Sequence, residues 1–242
     1  MTAPFPQVSL PGGTLALVGS GEYLPRVNSL DGELLNRLGQ PARVALLATG
    51  AGTEGPERID YWQNLGYRHF SDLGVAEVDR VPVVDRSSAL NEAFAERVAR
   101  SNFVYLSGGK PVYLYETMAG TPVWGAIQSV LAGGGVVAGC SAGAMIFAEI
   151  LPPDPFHWSG KPAFGLLNGC FILPHFDEIP GGLVKSAAQL GGKRWLVGIE
   201  GSTALVCSSA GMQVSGLGGV TFATSRVQRR FTAAHDWITP FE

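Results

Sequence analysis

Cysteines, charges and long apolar runs are all scarce in this sequence. Only Cys140, Cys170 and Cys207 occur among its 242 residues, and an odd, widely spaced set predicts neither a disulfide framework nor paired zinc ligands. Charged residues make up 15% of the chain and the formal net charge is −3, so nothing indicates a basic surface for nucleic acid or an anionic membrane. No apolar stretch approaches the length of a membrane span. The composition favours a globular protein with neither kind of partner.

Targeting and linker segments are also missing. The chain does not open with a positively charged segment followed by an apolar run, so we expect no targeting signal and a cytoplasmic location. No repeat and no linker divides the sequence. We therefore expect residues 1–242 to form a single domain.

Most of the sequence alternates between strand and helix patterns. Apolar, β-branched runs of strand length are followed by segments with helical periodicity. Such continuous apolar strands indicate an α/β fold, with a mostly parallel central sheet covered by helices on both faces. The predicted strands are Thr14–Val18, Arg43–Ala48, Val78–Val83, Phe103–Leu106 and Val136–Ala138, and the predicted helices are Gly32–Leu38, Pro56–Leu65, Ser88–Arg100, Val112–Met118, Pro122–Leu131 and Ala142–Ile150.

The pattern changes after Leu151. Prolines cluster at positions 152–155 and predict a loop. From Trp195 onward, short apolar runs separated by Gly and Ser predict a β hairpin or meander at one edge of the sheet. These runs are Leu196–Ile199, Thr203–Cys207, Met212–Val214 and Val220–Phe222.

The segment Gly139-Cys140-Ser141-Ala142-Gly143 lies between a predicted strand and a predicted helix. It matches the G-x-S-x-G nucleophile elbow in the context that this motif requires. The sharp turn exposes the serine oxygen beyond the carboxyl end of the sheet, and the two glycines avoid a collision. The alternative is a glycine-rich turn whose serine merely caps the helix. We predict that Ser141 is a nucleophile.

A second glycine pair, Gly108-Gly109, follows the predicted strand Phe103–Leu106. Ligands bind beyond the carboxyl ends of parallel strands. The backbone N–H of Gly109 could therefore face Ser141 and, with the N–H of Ala142, stabilise an oxyanion. Taken alone, the pair would indicate an ordinary strand-to-helix loop.

A serine nucleophile needs a base, which is usually histidine. His69 follows the second predicted helix, where a surface or packing role is expected. His235 has the position that an ordinary α/β-hydrolase uses. His157 lies in the proline-rich loop, whereas His175 follows an apolar run and so lies at the carboxyl end of a strand. Position favours His175, with His157 second.

Several of these motifs together resemble those of dipeptidase E and cyanophycinase. The specific ones are the Gly-x-Ser-Ala-Gly-Ala run at 139–144, the strand with Gly-Gly at 103–109 and Pro-His-Phe at 174–176. Less specific matches run in the same order between about residues 14 and 222, at Gly19–Glu22, Ala119–Thr121, Phe164–Leu167 and Val197–Glu200.

The resemblance implies a class I glutamine amidotransferase-like domain, a flavodoxin-like three-layer sandwich. It also implies a serine peptidase that cleaves short peptides through a Ser-His-acid triad and an acyl-enzyme. In that reading Ser141 is the nucleophile, His175 the base, and the amides of Gly109 and Ala142 the oxyanion donors, without metal or cofactor. The expected partner is a small peptide, and a homodimer is compatible with this reading.

The acid is less clearly indicated. In dipeptidase E it is an aspartate in the loop between the nucleophile and the histidine, which favours Asp154. Glu200 ends a predicted strand, and Asp177 follows His175 by two residues. These two carboxylates are the alternatives.

Two other functions are compatible with the sequence. One is an esterase-type α/β-hydrolase that uses Ser141 and His235, although no His-Gly-Gly-Gly-type oxyanion motif is present. The other is a non-catalytic binding member of the same fold. Related enzymes that prefer acidic residues carry arginines after the histidine, whereas Lys185 is the only basic residue in segment 181–192.

Overall fold

The computed structural model describes residues 4–152, 160–234 and 237–238. Within them the strands are Gln7–Val8 (β1), Thr14–Val18 (β2), Arg43–Leu47 (β3), Glu77–Arg80 (β4), Phe103–Leu106 (β5), Val136–Cys140 (β6), Leu167–Asn168 (β7), Cys170–Leu173 (β8), Trp195–Ile199 (β9), Thr203–Ser208 (β10), Gly211–Gly216 (β11), Gly219–Ala223 (β12) and Gln228–Thr232 (β13). The helices are Asn28–Asn36 (α1), Pro56–Asp72 (α2), Arg86–Ala89 (α3), Glu92–Ala99 (α4), Pro111–Met118 (α5), Pro122–Ala132 (α6), Ala142–Met145 (α7) and Gly181–Leu190 (α8). None of these helices is long and apolar enough to cross a bilayer.

A seven-stranded sheet forms the centre of the molecule, in the order β11-β10-β2-β6-β5-β3-β4. The pairs among β2, β6, β5, β3 and β4 are parallel, while β10 and β11 add an antiparallel hairpin at one edge. The mostly parallel sheet and the edge hairpin are therefore confirmed. Because the central strands are parallel, the loops after β2, β5 and β6 lie at the same edge of the sheet.

Both faces of the central strands β2, β5 and β6 are buried, which explains their continuous apolar sequences. In β2, Leu15 and Leu17 pack into one core cluster, while Ala16 and Val18 pack into the other. Successive side chains of a strand point to opposite faces, so a strand covered on both sides must be apolar throughout. The expected α/β architecture with helices on both faces is confirmed.

The remaining C-terminal strands belong to a separate four-stranded sheet, in the order β13-β12-β9-β8. The sequence predicted one hairpin or meander at one edge of the central sheet for all the runs after Trp195. That prediction was incomplete, because β9 and β12 belong to this second sheet. After β9 the chain crosses between the sheets twice, at residues 200–202 from β9 to β10 and at residues 217–218 from β11 to β12. The crossings are bonded to each other, since the N–H of Leu217 donates to the carbonyl of Ser202. We call this double crossing the corner.

Several predicted helix boundaries were wrong. The helix predicted over Ala142–Ile150 ends at Met145, and the one predicted over Ser88–Arg100 is split into α3 and α4. The split occurs because the side chain of Asn91 accepts a hydrogen bond from the N–H of Ala93 and caps a new helix.

His69 is a packing residue: it is buried, and its Nε2 lies 2.7 Å from Oδ2 of Asp31.

Candidate active site

Ser141 has a strained backbone conformation between β6 and α7. Its φ of 52° and ψ of −112° lie in a region that residues with a side chain rarely adopt. Hydrogen bonds fix the turn, because the N–H of Ser141 donates to the carbonyl of Val18 and its own carbonyl accepts from Ala144 and Met145. Strain of this kind concentrates at functional sites. The backbone at Ser141 has the geometry expected of a nucleophile elbow.

Close backbone packing explains why glycines flank this turn. A Cβ atom on Gly139 would overlap the backbone carbonyl of Gly143, and a Cβ atom on Gly143 would lie 2.5 Å from the carbonyl oxygen of Leu106. Both contacts are with backbone atoms, which cannot move away as the end of a flexible side chain could. The elbow can form at this place only if both positions lack a side chain.

His175 approaches Ser141 from the four-stranded sheet. It follows β8 in a left-handed conformation, with φ 51° and ψ 37°, and precedes a 3-10 turn at Phe176–Glu178. Its Nε2 lies 3.2 Å from Oγ of Ser141, which is within the range expected of a base and its nucleophile. The imidazole is 42% exposed. Solvent or a substrate can therefore reach the pair.

Glu178 contacts the other nitrogen of the same imidazole. Its Oε1 lies 3.3 Å from Nδ1 of His175, and its N–H donates to the His175 carbonyl. The distance is slightly longer than an ordinary N–H···O bond, as catalytic hydrogen bonds often are without substrate. A carboxylate at Nδ1 leaves Nε2 free to accept a proton. Our sequence reasoning missed Glu178, although a tight turn after His175 would have placed the third residue beside the ring.

Two of the three carboxylates proposed from sequence, Asp177 and Glu200, have other partners. Oδ1 of Asp177 accepts a hydrogen bond of 2.7 Å from the N–H of Gly201. Glu200 is bonded to Arg230 and to the amide of Gly219, and the guanidinium lowers its pKa. Within the described ranges neither carboxylate hydrogen-bonds to His175. Asp154 lies outside those ranges, as do the alternative bases His157 and His235.

The Gly108-Gly109 loop lies directly against the elbow. A Cβ atom on Gly108 would lie 3.3 Å from Cβ of Ser141. Gly109 has a φ of 134° and packs so closely on the backbone of Gly50 that no side chain would fit. Within the part of the chain that is described, no group accepts from the amides of Gly109 or Ala142. Both amides are therefore available to an oxyanion.

Cys140, next to Ser141, does not have the features of a nucleophile. It is fully buried. Its Sγ donates to Oε2 of Glu22 at 3.0 Å. Burial, and after it the charge of Glu22, raise the pKa of this thiol well above its ordinary value. The reactive species of cysteine is the thiolate, so Cys140 stays in its unreactive form.

No metal centre accompanies the site among the residues described. His, Cys, Asp and Glu side chains form no group of three or more that could hold a metal ion there. The chemistry that these residues can support is that of serine, histidine, carboxylate and backbone amides.

An elbow serine with a histidine at hydrogen-bond distance, at the edge of a three-layer α/β sandwich, defines an α/β protein with a candidate serine nucleophile. Residues 15–215 match Peptidase family S51. The chain belongs to this family, which confirms the resemblance to dipeptidase E and cyanophycinase.

Individual relatives agree with this assignment. Two cyanophycinases, from Synechococcus elongatus and Thermosynechococcus vestitus, are 30% identical over 169 residues, which are 65% of this chain and 52% of theirs. The match thus spans about half the length of these curated relatives. A peptidase of known structure from an acI-B1 Actinobacterium is 34% identical, with a TM-score of 0.81 over 93% of this chain and 96% of that one. A candidate peptidase E from Listeria monocytogenes, 17% identical, shares the fold with a TM-score of 0.61 over 85% of this chain and 99% of its own.

Proposed function

We propose that this protein is a serine peptidase that hydrolyses short peptides through Ser141, His175 and an acid. The observation that carries the proposal is the 3.2 Å separation between Oγ of Ser141 and Nε2 of His175 at a strained elbow. Membership of a peptidase family supports the reaction class.

In the first half-reaction, His175 accepts the proton of Ser141 through Nε2 while Oγ attacks the peptide carbonyl carbon. The developing oxyanion accepts hydrogen bonds from the amides of Gly109 and Ala142. The tetrahedral intermediate then breaks its C–N bond, and His175 gives the proton to the leaving amine. Ser141 is left as an acyl-enzyme.

Water completes the reaction by the same route. His175 takes a proton from the water molecule, whose oxygen attacks the acyl carbon. When the ester bond breaks, the proton returns to Oγ of Ser141 and the peptide acid leaves. The partial exposure of the imidazole supports this step, because water can reach it.

We assign the acid to Glu178, because it is the carboxylate in contact with His175 among the described residues. Glu178→Gln is expected to lower kcat by about 10- to 100-fold, less than loss of a buried triad aspartate, since Glu178 is 67% exposed. Asp177→Asn is the matched control and should change kcat by less than about twofold. If Asp154→Asn abolishes activity while Glu178→Gln does not, the acid is Asp154.

The proposed substrates are short peptides without acidic specificity. Lys185 is the only basic residue of α8, the first helix after His175. A planar arginine is the usual partner of a substrate carboxylate. We therefore do not extend the proposal to aspartyl peptides or to the polymer after which the cyanophycinases are named.

The test uses a fluorophosphonate probe and a panel of neutral and acidic di- and tripeptides. The wild-type protein should be labelled at Ser141, and neutral peptides should be cleaved faster than acidic ones. Ser141→Ala should abolish both signals, and His175→Ala should slow labelling by more than about 100-fold. Circular dichroism verifies that each variant is folded.

Two results would contradict the proposal. Loss of activity in His235→Ala but not in His175→Ala would indicate the esterase-type arrangement. A folded wild-type protein that neither reacts with the probe nor cleaves any peptide would indicate a non-catalytic binding member of the family.

A further inference from the structure

Glu22 is a buried carboxylate that the mechanism above does not use. It lies in the turn after β2 and is 7% exposed. A carboxylate is seldom buried unless its oxygens have partners. Its contacts therefore indicate what keeps it in the interior.

Both oxygens of Glu22 are bonded to residues beside the reacting groups. Oε1 accepts from the N–H of Gly108 at 3.1 Å, and Oε2 accepts from Sγ of Cys140 at 3.0 Å. Gly108 immediately precedes Gly109, and Cys140 immediately precedes Ser141. One side chain thus joins the loop after β5 to the elbow after β6.

The packing around Gly108 at this junction is tight. A Cβ atom on Gly108 would lie 3.0 Å from Oε1 of Glu22 and 3.3 Å from Cβ of Ser141. The Glu22 carboxylate and the Ser141 side chain therefore both pack against Gly108. Because the amide of Gly108 is bonded to Glu22, the amide of Gly109 is the next one along the loop that remains available to a substrate.

We propose that Glu22 is a positioning residue that fixes the separation between Oγ of Ser141 and the amide of Gly109. The inference rests on the proposed function, since the reaction must use both groups. Without Glu22, the Gly108 amide and the Cys140 thiol lose their buried acceptor, and the loop can shift relative to the elbow. A displacement of about 1 Å between groups that act in a transition state can lower the rate about 100-fold.

The hydrogen bonds of Glu22, rather than its charge, carry this role. Glutamine keeps a carbonyl oxygen for the Gly108 amide and presents its NH2 group to the Cys140 sulfur, which can accept weakly. Glu22→Gln should therefore preserve the position of the loop, whereas Glu22→Ala should not. If the negative charge itself were required, both variants would be equally slow.

Glu149 provides a matched control elsewhere in the molecule. Its Oε2 accepts from the amide of Gly169 at 2.8 Å, and its Oε1 accepts from Nε of Arg194 at 2.7 Å. It thus also joins a glycine amide to a side-chain donor. Glu149→Ala removes equivalent bonds without touching the junction at Ser141.

The experiment measures the second-order rate of fluorophosphonate labelling per folded molecule, with the folded fraction taken from urea unfolding curves. We expect Glu22→Ala to lower the rate by about 10- to 100-fold, Glu22→Gln to stay within about threefold of wild type, and Glu149→Ala to stay within about twofold. For peptide cleavage, the loss in Glu22→Ala should fall on kcat and leave KM nearly unchanged. A purely structural role would lower the folded fraction without lowering the rate per folded molecule.

Each other result overturns the inference. It fails if Glu22→Ala reacts at the wild-type rate, or if Glu22→Gln is as slow as Glu22→Ala. If Glu22→Ala does not fold, Glu22→Met fills the same space without acceptors and is expected to show the same loss. An unreactive but folded wild type would defeat the peptidase proposal itself, whereas a reactive wild type with equally reactive Glu22 variants would defeat the positioning role alone.

Discussion

The seven-stranded and the four-stranded sheet each contribute one side chain of the proposed catalytic pair, and they hold these side chains in different ways. Ser141, at the end of β6, is held by the backbone, through its bond to Val18 and through flanking glycines that leave no space. His175, after β8, is held by an exposed turn. Its imidazole is 42% exposed, and the carboxylate beside it is 67% exposed.

The positions of Ser141 and His175 therefore depend on the fold in different ways. The serine cannot shift unless the backbone around it shifts, so changes near it should affect stability as well as activity. The histidine depends on contacts that are open to solvent, and such contacts contribute little to folding. Changes around His175 should therefore affect activity more than the free energy of unfolding.

The largest effect on stability is expected for Gly139→Ala. The added methyl group meets the backbone of Gly143, and overpacking of this kind costs about 1–3 kcal/mol or more. We expect a loss of about 3 kcal/mol in urea unfolding and a loss of labelling at Ser141. Gly125→Ala, in α6, is the control, because nothing lies within 4 Å of the new methyl group; it should raise stability by about 0.5–1 kcal/mol. Equal stabilities for the two variants would contradict this account of the elbow.

A smaller effect, of opposite sign, is expected for Ser141→Gly. The strained conformation of Ser141 costs about 1–3 kcal/mol, and glycine adopts it freely while losing more entropy on folding. The variant should be inactive and more stable than wild type by about 1 kcal/mol in urea unfolding. Ser141→Ala keeps the strain and should unfold like wild type. If the glycine variant is no more stable than the alanine variant, the strain is not stored at this residue.

The smallest effect is expected in the four-stranded sheet, for Arg230→Gln. The guanidinium of Arg230 bonds both oxygens of Glu200 and lowers its pKa. A folded-state pKa below the unfolded one means that the pair stabilises the fold above about pH 4.3 and that this contribution is lost as the pH falls through the folded-state pKa. We expect the variant to lose about 0.5–1 kcal/mol at pH 7, and the difference from wild type to shrink below about pH 4.

Urea unfolding at pH 7 and in acid measures this difference. Arg226→Gln, an exposed position in the turn between β12 and β13, is the control and should show no such pH dependence. A deficit in Arg230→Gln that is the same at both pH values would show that the ion pair with Glu200 is not its origin.

Local patterns were sufficient for much of the large sheet. The strands Thr14–Val18 and Phe103–Leu106 were predicted with the boundaries observed, because both faces of the sheet are buried and the sequence is continuously apolar. The start of α6 was also predicted, since Thr121 caps it before a proline. The elbow could be located from sequence because its glycines are required by local contacts. These contacts are with residues a few positions away or with the adjacent strand.

The features that the sequence did not indicate depend on packing between residues far apart in the chain. Glu178 reaches His175 only because that histidine adopts a left-handed conformation, which no local residue type requires. The split of the C-terminal strands could not be predicted either, because Gly and Ser between strands indicate a turn but not the sheet that the next strand joins. Glu22 was visible as a weak motif match, yet its partners are Gly108 in the loop after β5 and Cys140 at the end of β6.

The corner between the sheets has a mechanical consequence. Ser141 follows a strand of the seven-stranded sheet and His175 follows a strand of the four-stranded sheet. Residues 200–202 and 217–218 connect the two sheets and form the joint between them. Hydrogen bonds brace this joint, among them those that the amides of Leu217, Gly218 and Glu200 donate to groups on Ser202, Thr203 and Gly219. We expect a substitution there to alter the gap between Ser141 and His175 without touching either residue. Substitutions in residues 200–202 or 217–218 could thus change the reactivity of Ser141, although these residues take no part in the proposed reaction.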